Sequence, residues 1–187
     1  MGRVEADKGQ YDSPADVFWA TGACLMVRSS VYRKLGGLDE RFFAHMEEID
    51  MCWRMQLEGW KVTVVPSSTV YHVGGGTLPA TSPFKLFLNY RNNLLMLSNN
   101  LAKTYALALH HKGLCAEKAA AEGIRKAERK IRSRMFLDMV SASVYLLTLK
   151  TDCFKAVAKA HKEYRKQRLA PSGEEVAEYL KAWGDKA

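Results

Sequence analysis

Apolar residues before Phe84 come in short bursts between turn formers, whereas those after it recur at helical spacing almost to the end of the chain. Val17 to Val27 is apolar and broken at Gly22, which predicts a strand or strand-loop-strand over 18–27. Ser29-Ser30 offers an N-cap to a short helix, Val31 to Leu35, that Gly36-Gly37 stops. Ile49, Cys52, Trp53 and Leu57 then fall at the i, i+3, i+4, i+8 spacing of a buried helical face. A helix is expected over roughly 48–58, with Asp50 and Arg54 paired on another face and Gly59 just past the end. Lys61 to Val65 reads as a buried strand closed by Pro66, and residues 69–73 as a second short strand running into Gly74-Gly75-Gly76. Beyond it the spacing predicts helices over Phe84–Asn99, Ala116–Arg134, Phe136–Leu149 and Phe154–Arg168. A last short helix follows the break at Pro171-Ser172-Gly173.

The chain has 187 residues, 48% hydrophobic and 26% charged, ordinary values for a globular protein with a real core. Its net charge of +8 is unevenly placed. Residues 1–84 hold 8 Lys and Arg against 10 Asp and Glu, whereas residues 85–187 hold 20 against 10. The basic half suits an anionic membrane surface, a phosphate-bearing substrate or nucleic acid, and it equally suits a solvated helical surface. No aromatic interleaving or known motif supports nucleic acid, so none is expected as a partner. The 4 cysteines form no CxxC pair, which argues against a disulfide framework or zinc site and favours a reducing, cytoplasmic compartment. The N-terminus shows no signal-peptide pattern. The longest apolar stretch, Met135 to Leu149, contains Asp138 and falls short of the ~20 residues of a membrane span, so no transmembrane helix is expected.

Three constellations could carry chemistry. Glu47, Glu48 and Asp50 crowd a helix N-terminus after a Phe42-Phe43 loop. The helix dipole alone accounts for acids there, but carboxylates at the edge of a core are also the kind that can be tuned to abstract a proton. His72 stands at a strand end before three glycines and can reach a ligand, although a lone histidine is more often structural. Trp19, Thr21 and Gly22 combine a ring that can stack on a sugar with a backbone break and a hydroxyl, although Trp19 by itself reads as core.

Taken in order, these blocks resemble the C-terminal half of family 2 glycosyltransferases, especially rhamnosyltransferase-like members that build cell-surface polysaccharides. The matching residues are Phe18-Trp19-Ala20-Thr21-Gly22-Ala23-Cys24, Leu35-Gly36-Gly37-Leu38-Asp39-Glu40-Arg41-Phe42-Phe43 and Met46-Glu47-Glu48-Ile49-Asp50 with Cys52 and Arg54. Gly59-Trp60, Val65-Pro66, Val70-Tyr71-His72-Val73-Gly74-Gly75-Gly76 and Tyr90-Arg91-Asn92-Asn93 complete the set. The resemblance is close over residues 4 to about 100 and loose through the helical tail.

The resemblance implies an α/β fold: the acceptor-side half of a GT-A domain over residues 1–100, followed by a basic helical tail over 101–187. It implies inverting sugar transfer from a nucleotide-sugar donor to a glycan or lipid-linked acceptor. The family's acidic motif falls on Glu47-Glu48, whose second residue would be the catalytic base. Aspartate is usual there, so the choice between Glu48 and Glu47 stays open. His72 matches a ligand of the Mg²⁺ or Mn²⁺ that holds the nucleotide diphosphate, and Trp19, Thr21 and Gly22 match the acceptor-side loop. Asp50 is assigned to the substrate-binding set and, with Arg54, to support of the helix. No Asp-x-Asp occurs, so the sugar-nucleotide half is missing from this chain, which alone is expected to be inactive. A truncated remnant that only binds acceptor or membrane is the alternative. The Gln-x-x-Arg-Trp motif of processive synthases is also absent, which implies transfer of one sugar. The implied location is the cytoplasm, with peripheral attachment to the cytoplasmic face of the membrane through the basic helices.

Overall fold

The computed structural model describes residues 6, 8–72 and 82–184. The order is β1 (Ala15–Asp16), a 3-10 turn (Gly22–Cys24), α1 (Ser29–Lys34), α2 (Glu47–Leu57), β2 (Thr63–Val64), α3 (Pro83–His110), α4 (Ala116–Leu147), α5 (Thr151–Gln167) and α6 (Gly173–Gly184). The molecule is therefore mostly helical. The sheet among the described residues is a two-stranded antiparallel ribbon pairing Ala15 with Val64 and Asp16 with Thr63.

Two strand expectations are corrected. Residues 18–27 contain the 3-10 turn instead of a strand, and residues 69–72 form none; residue 73 lies outside the described residues, as do Gly74-Gly75-Gly76. A strand needs a hydrogen-bonding neighbour along its length. Here the ladder ends after Val17, whose N–H donates to Val62 O at 2.8 Å. The strand expected at Lys61 to Val65 shrinks to Thr63–Val64, both exposed.

α2 lies close to its expected bounds. Its end is a Schellman cap: Trp60 N–H reaches Met55 O and Gly59 N–H reaches Gln56 O, with Gly59 at φ +85°. α1 differs in starting at Ser29 with Arg28 as N-cap and no side-chain cap bond. The buried face of α2 is also rotated from expectation. Asp50, Met51, Cys52, Met55 and Leu57 are buried, while Ile49 and Trp53 are only partly so. The reason is two-sided packing. Met51, Cys52 and Met55 face Val31, Val62 and the extended segment around Val17 and Leu25. Ile49 and Trp53 face the larger helical core.

That core is continuous across the boundary expected at residue 100, which falls inside α3. Phe42, Leu94, Leu95, Ala106, Ala119, Ala127, Tyr164 and Leu180 share it. Each fully buried leucine contributes about 1.5–3 kcal/mol. The helices expected over 116–134 and 136–149 are one helix, α4, because no glycine or proline separates Arg134 from Phe136.

Candidate active site

Glu47 and Glu48 occupy the first turn of α2, where its free N–H groups favour negative charge. Both line a cavity of about 420 Å³ with Gly22, Leu25, Val27, Tyr32, Leu38 and Met51. One carboxylate oxygen of each, Oε2, is buried and has no hydrogen-bond partner among the described residues. An oxygen in that state is costly unless a ligand or proton donor satisfies it. Glu48 is the one that meets the Trp19–Gly22 segment: a Cβ at Gly22 would stand 3.8 Å from the Glu48 Cβ. The 3-10 turn thus lies against the Glu48 side chain. Thr21 accepts a hydrogen bond from Ala23 N–H at 3.4 Å and so shapes that turn. Trp19 is 45% exposed, not core.

The loop delivering the carboxylates is strained. Phe43, His45 and Met46 all have positive φ, at 63°, 71° and 73°, each an unfavourable conformation for a side-chain-bearing residue. What holds it is α3. The Nδ2 of Asn92 lies 3.0 Å from Phe42 O, 2.7 Å from Ala44 O and 2.8 Å from His45 O. Its two hydrogens are thus shared among three carbonyls. Arg91 donates to Arg41 O and Phe42 O, both at 2.9 Å, and to Asn92 Oδ1 at 2.9 Å. Burial pulls the Arg91 guanidinium below its usual value, partly offset by the Glu163 charge.

Below the carboxylates the helix is anchored by charge. Asp50 is 0% exposed. Its Oδ2 accepts from Arg54 Nε at 2.8 Å, and its Oδ1 accepts from Asn99 at 2.9 Å and Asn100 at 2.8 Å. Arg54 continues to Leu35 O at 2.7 Å and Gly37 O at 2.9 Å. The assignment of Asp50 to substrate binding is therefore corrected: its oxygens are engaged inside the protein, and it positions α2. Asn99 also donates to Asp39 Oδ2 at 3.1 Å, and Asp39 is paired with Arg41. Burial pushes the Asp39 carboxyl up, but the Arg41 hydrogen bonds and charge outweigh it and hold it below its ordinary value. A second cavity, about 460 Å³, opens beside Asp39, Arg41, Arg54 and Asn99. Asp39, Arg41 and Asn99 bond one another there, and Arg54 is held by Asp50, Leu35 and Gly37.

Cys52, one turn from Glu48, is buried. Burial pushes its thiol up, the Ala20 backbone opposes this and the Glu48 charge adds to it, so it is a poor nucleophile. His72 is exposed, and among the described residues no three His, Cys, Asp or Glu side chains converge as a metal site.

Sequence reasoning missed the part played by Asn92, Asn99 and Asn100. Their signal was available: three asparagines at i, i+7, i+8 on the apolar stripe of α3 have to bond something inside the fold. The His45 Nε2 is buried without a partner among the described residues.

Residues 4–92 match the model of Glycosyl transferase family group 2. The N-acetylglucosaminyl-diphospho-decaprenol L-rhamnosyltransferase of Mycobacterium tuberculosis is 43% identical over 60 residues, 32% of this chain and 20% of that protein. The low-salt glycan biosynthesis hexosyltransferase Agl10 of Haloferax volcanii is 27% identical over 107 residues, 56% and 34% of the two chains. Rhamnosyltransferase WbbL of Escherichia coli is 29% identical over 72 residues, 38% and 27% of the two. The chain thus spans between a fifth and about a third of the length of these relatives. No solved structure matches it significantly.

Proposed function

From the premise that residues 4–92 are family 2 glycosyltransferase sequence, we propose that the chain is the acceptor side of an inverting enzyme. This enzyme moves one sugar from a nucleotide-sugar donor to a hydroxyl of a lipid-linked or polysaccharide acceptor in cell-surface polysaccharide synthesis. The observation that carries the reading is the Glu48 carboxylate, which has a buried oxygen without a partner among the described residues and lines a cavity next to Gly22. The extended 18–27 segment would gain strand neighbours in the half of the GT-A sheet that this chain does not supply.

In this reading Glu48 takes the proton of the acceptor hydroxyl as that oxygen bonds to the anomeric carbon, and the bond to the nucleotide diphosphate breaks from the opposite face. Trp19 offers its exposed ring to the acceptor sugar, and the turn at Gly22 lies beside the base. Arg91, Asn92 and Asp50 keep the carboxylate in place without touching substrate, the preorganisation that positioning catalysis needs. Mg²⁺ or Mn²⁺ would offset charge on the leaving diphosphate. His72 is its one proposed ligand from this chain. The described residues do not complete a site for the ion.

The test is sugar transfer by the complete enzyme, with the anomeric configuration of donor and product compared by NMR. Transfer with the configuration inverted is expected, and retention or no transfer overturns the reading. Titrating labelled nucleotide sugar against the 187-residue chain alone should give weak or no binding. Tight binding would contradict the missing donor half.

A further inference from the structure

α4 is amphipathic the wrong way round in its second half. Its inward face holds small or polar side chains, among them Asp138 and Ala142. Asp138 is paired inside with Arg134 at 2.8 Å and His161 at 3.3 Å. The large apolar side chains point out. Phe136 is 69% exposed and Leu147 83%, with Leu137, Val140 and Val144 also exposed. Phe136, Val140, Val144 and Leu147 follow the i, i+4, i+8, i+11 spacing of one helical face. Just past the helix, Leu149 is exposed as well, at the turn into α5. A contiguous apolar face of this kind marks a contact surface.

The same face is basic one step toward the N-terminus. Arg125, Arg129 and Arg132 precede Phe136 at helical spacing, with Lys130 beside them. Arg125 and Arg132 have acidic partners on α4 itself, Glu122 and Glu128. Arg129 and Lys130 are exposed and have no ion pair among the described residues. Charge complementarity selects an anionic occupant, because the apolar stripe runs into two exposed cations that no acidic side chain among the described residues neutralises.

We propose that the outward face of α4 docks in the plane of an anionic phospholipid membrane, with Phe136 to Leu147 in the acyl boundary and Arg129 and Lys130 on the headgroups. No described helix is long and apolar enough to cross a membrane, so the contact is peripheral. The surface stands independently of the transferase reading.

Co-sedimentation of the 187-residue chain with vesicles decides it. The two compositions are phosphatidylcholine alone and phosphatidylcholine with an equal amount of phosphatidylglycerol. The wild type should favour the anionic vesicles about tenfold or more, and lose most of that preference as salt rises from ~0.1 M to ~1 M. Arg129→Glu with Lys130→Glu should abolish the preference. Leu137→Ser with Leu147→Ser should cut binding about tenfold at low salt while leaving the helical circular dichroism unchanged. Equal binding to both vesicles, binding to neither, or leucine variants that bind like wild type each overturn the proposal. So does a dimer in sedimentation equilibrium that the leucine variants dissociate. The salt titration uses only the wild type and stands if a variant fails to fold.

Discussion

The side-chain nitrogen of Asn92, in the middle of α3, lies 2.8 Å from the carbonyl oxygen of His45, two residues before Glu47. His45 is at φ +71°, a conformation that costs energy and persists only when its surroundings impose it. One buried amide on α3 thus sets the direction from which the chain enters α2, and with it the position of both carboxylates.

Asn92→Ala should therefore release the 42–45 loop. Leaving buried carbonyls without their donor costs about 1–3 kcal/mol, read as a lower urea midpoint at unchanged slope. In the complete enzyme, kcat should fall although residue 92 touches no substrate. Asn92→Asp should be no better, because a carboxylate cannot donate to the carbonyls of Phe42, Ala44 and His45. An Asn92→Ala variant with wild-type stability would remove the clamp from this account.

Glu48→Gln in the complete enzyme should lower turnover by about 10²- to 10⁴-fold with little change in nucleotide-sugar binding. Glu47→Gln should cost less, because Glu48 is the residue that meets Gly22. Single-turnover transfer kinetics compare the two. The reverse order would hand the base to Glu47.

At Gly123 α4 packs tightly on α3. A Cβ there would fall 2.7 Å from Ala106 N and 2.8 Å from Ala102 O, both backbone atoms that cannot swing aside. Gly123→Ala, neutral or stabilising in an open helix, should destabilise by about 1–3 kcal/mol through overpacking. Thermal unfolding measures it, and an unchanged Tm would mean that the helices separate without cost.

Acid should loosen the Asp39–Arg41 contact. Asp39 is held below its ordinary value in the folded protein. It therefore binds its proton less readily folded than unfolded, and stability rises with pH across that interval. The contribution is complete above the unfolded value, ~3.9, and is lost as pH falls through the folded value. Urea unfolding near pH 6 and near pH 3 should show a larger loss for wild type than for Asp39→Asn. Equal losses would assign the acid sensitivity to other groups.

The amino-acid sequence by itself carried the helical character of the chain, the bounds of α2 and the ordered motifs, whereas α3 runs to His110, past the expected Asn99, and α4 joins two expected helices. Helical spacing, the Gly59 cap and the Glu47-Glu48 pair depend on residues close along the chain, and local preference decides them. It also carried the Asp50–Arg54 pair, since i, i+4 neighbours meet on any helix. Only the tertiary structure decided that Asp50 is buried, because that depends on Asn99 and Asn100 arriving from α3. Only it showed that residues 18–27 form no strand, since a strand exists by virtue of a neighbour elsewhere in the chain. The two faces of α4 follow the same logic. Periodicity marks Phe136, Val140 and Val144 as one apolar stripe, yet whether a stripe is core or surface depends on what packs against its opposite side. Here that side holds Asp138, buried and paired with Arg134 and His161, and the apolar stripe faces outward.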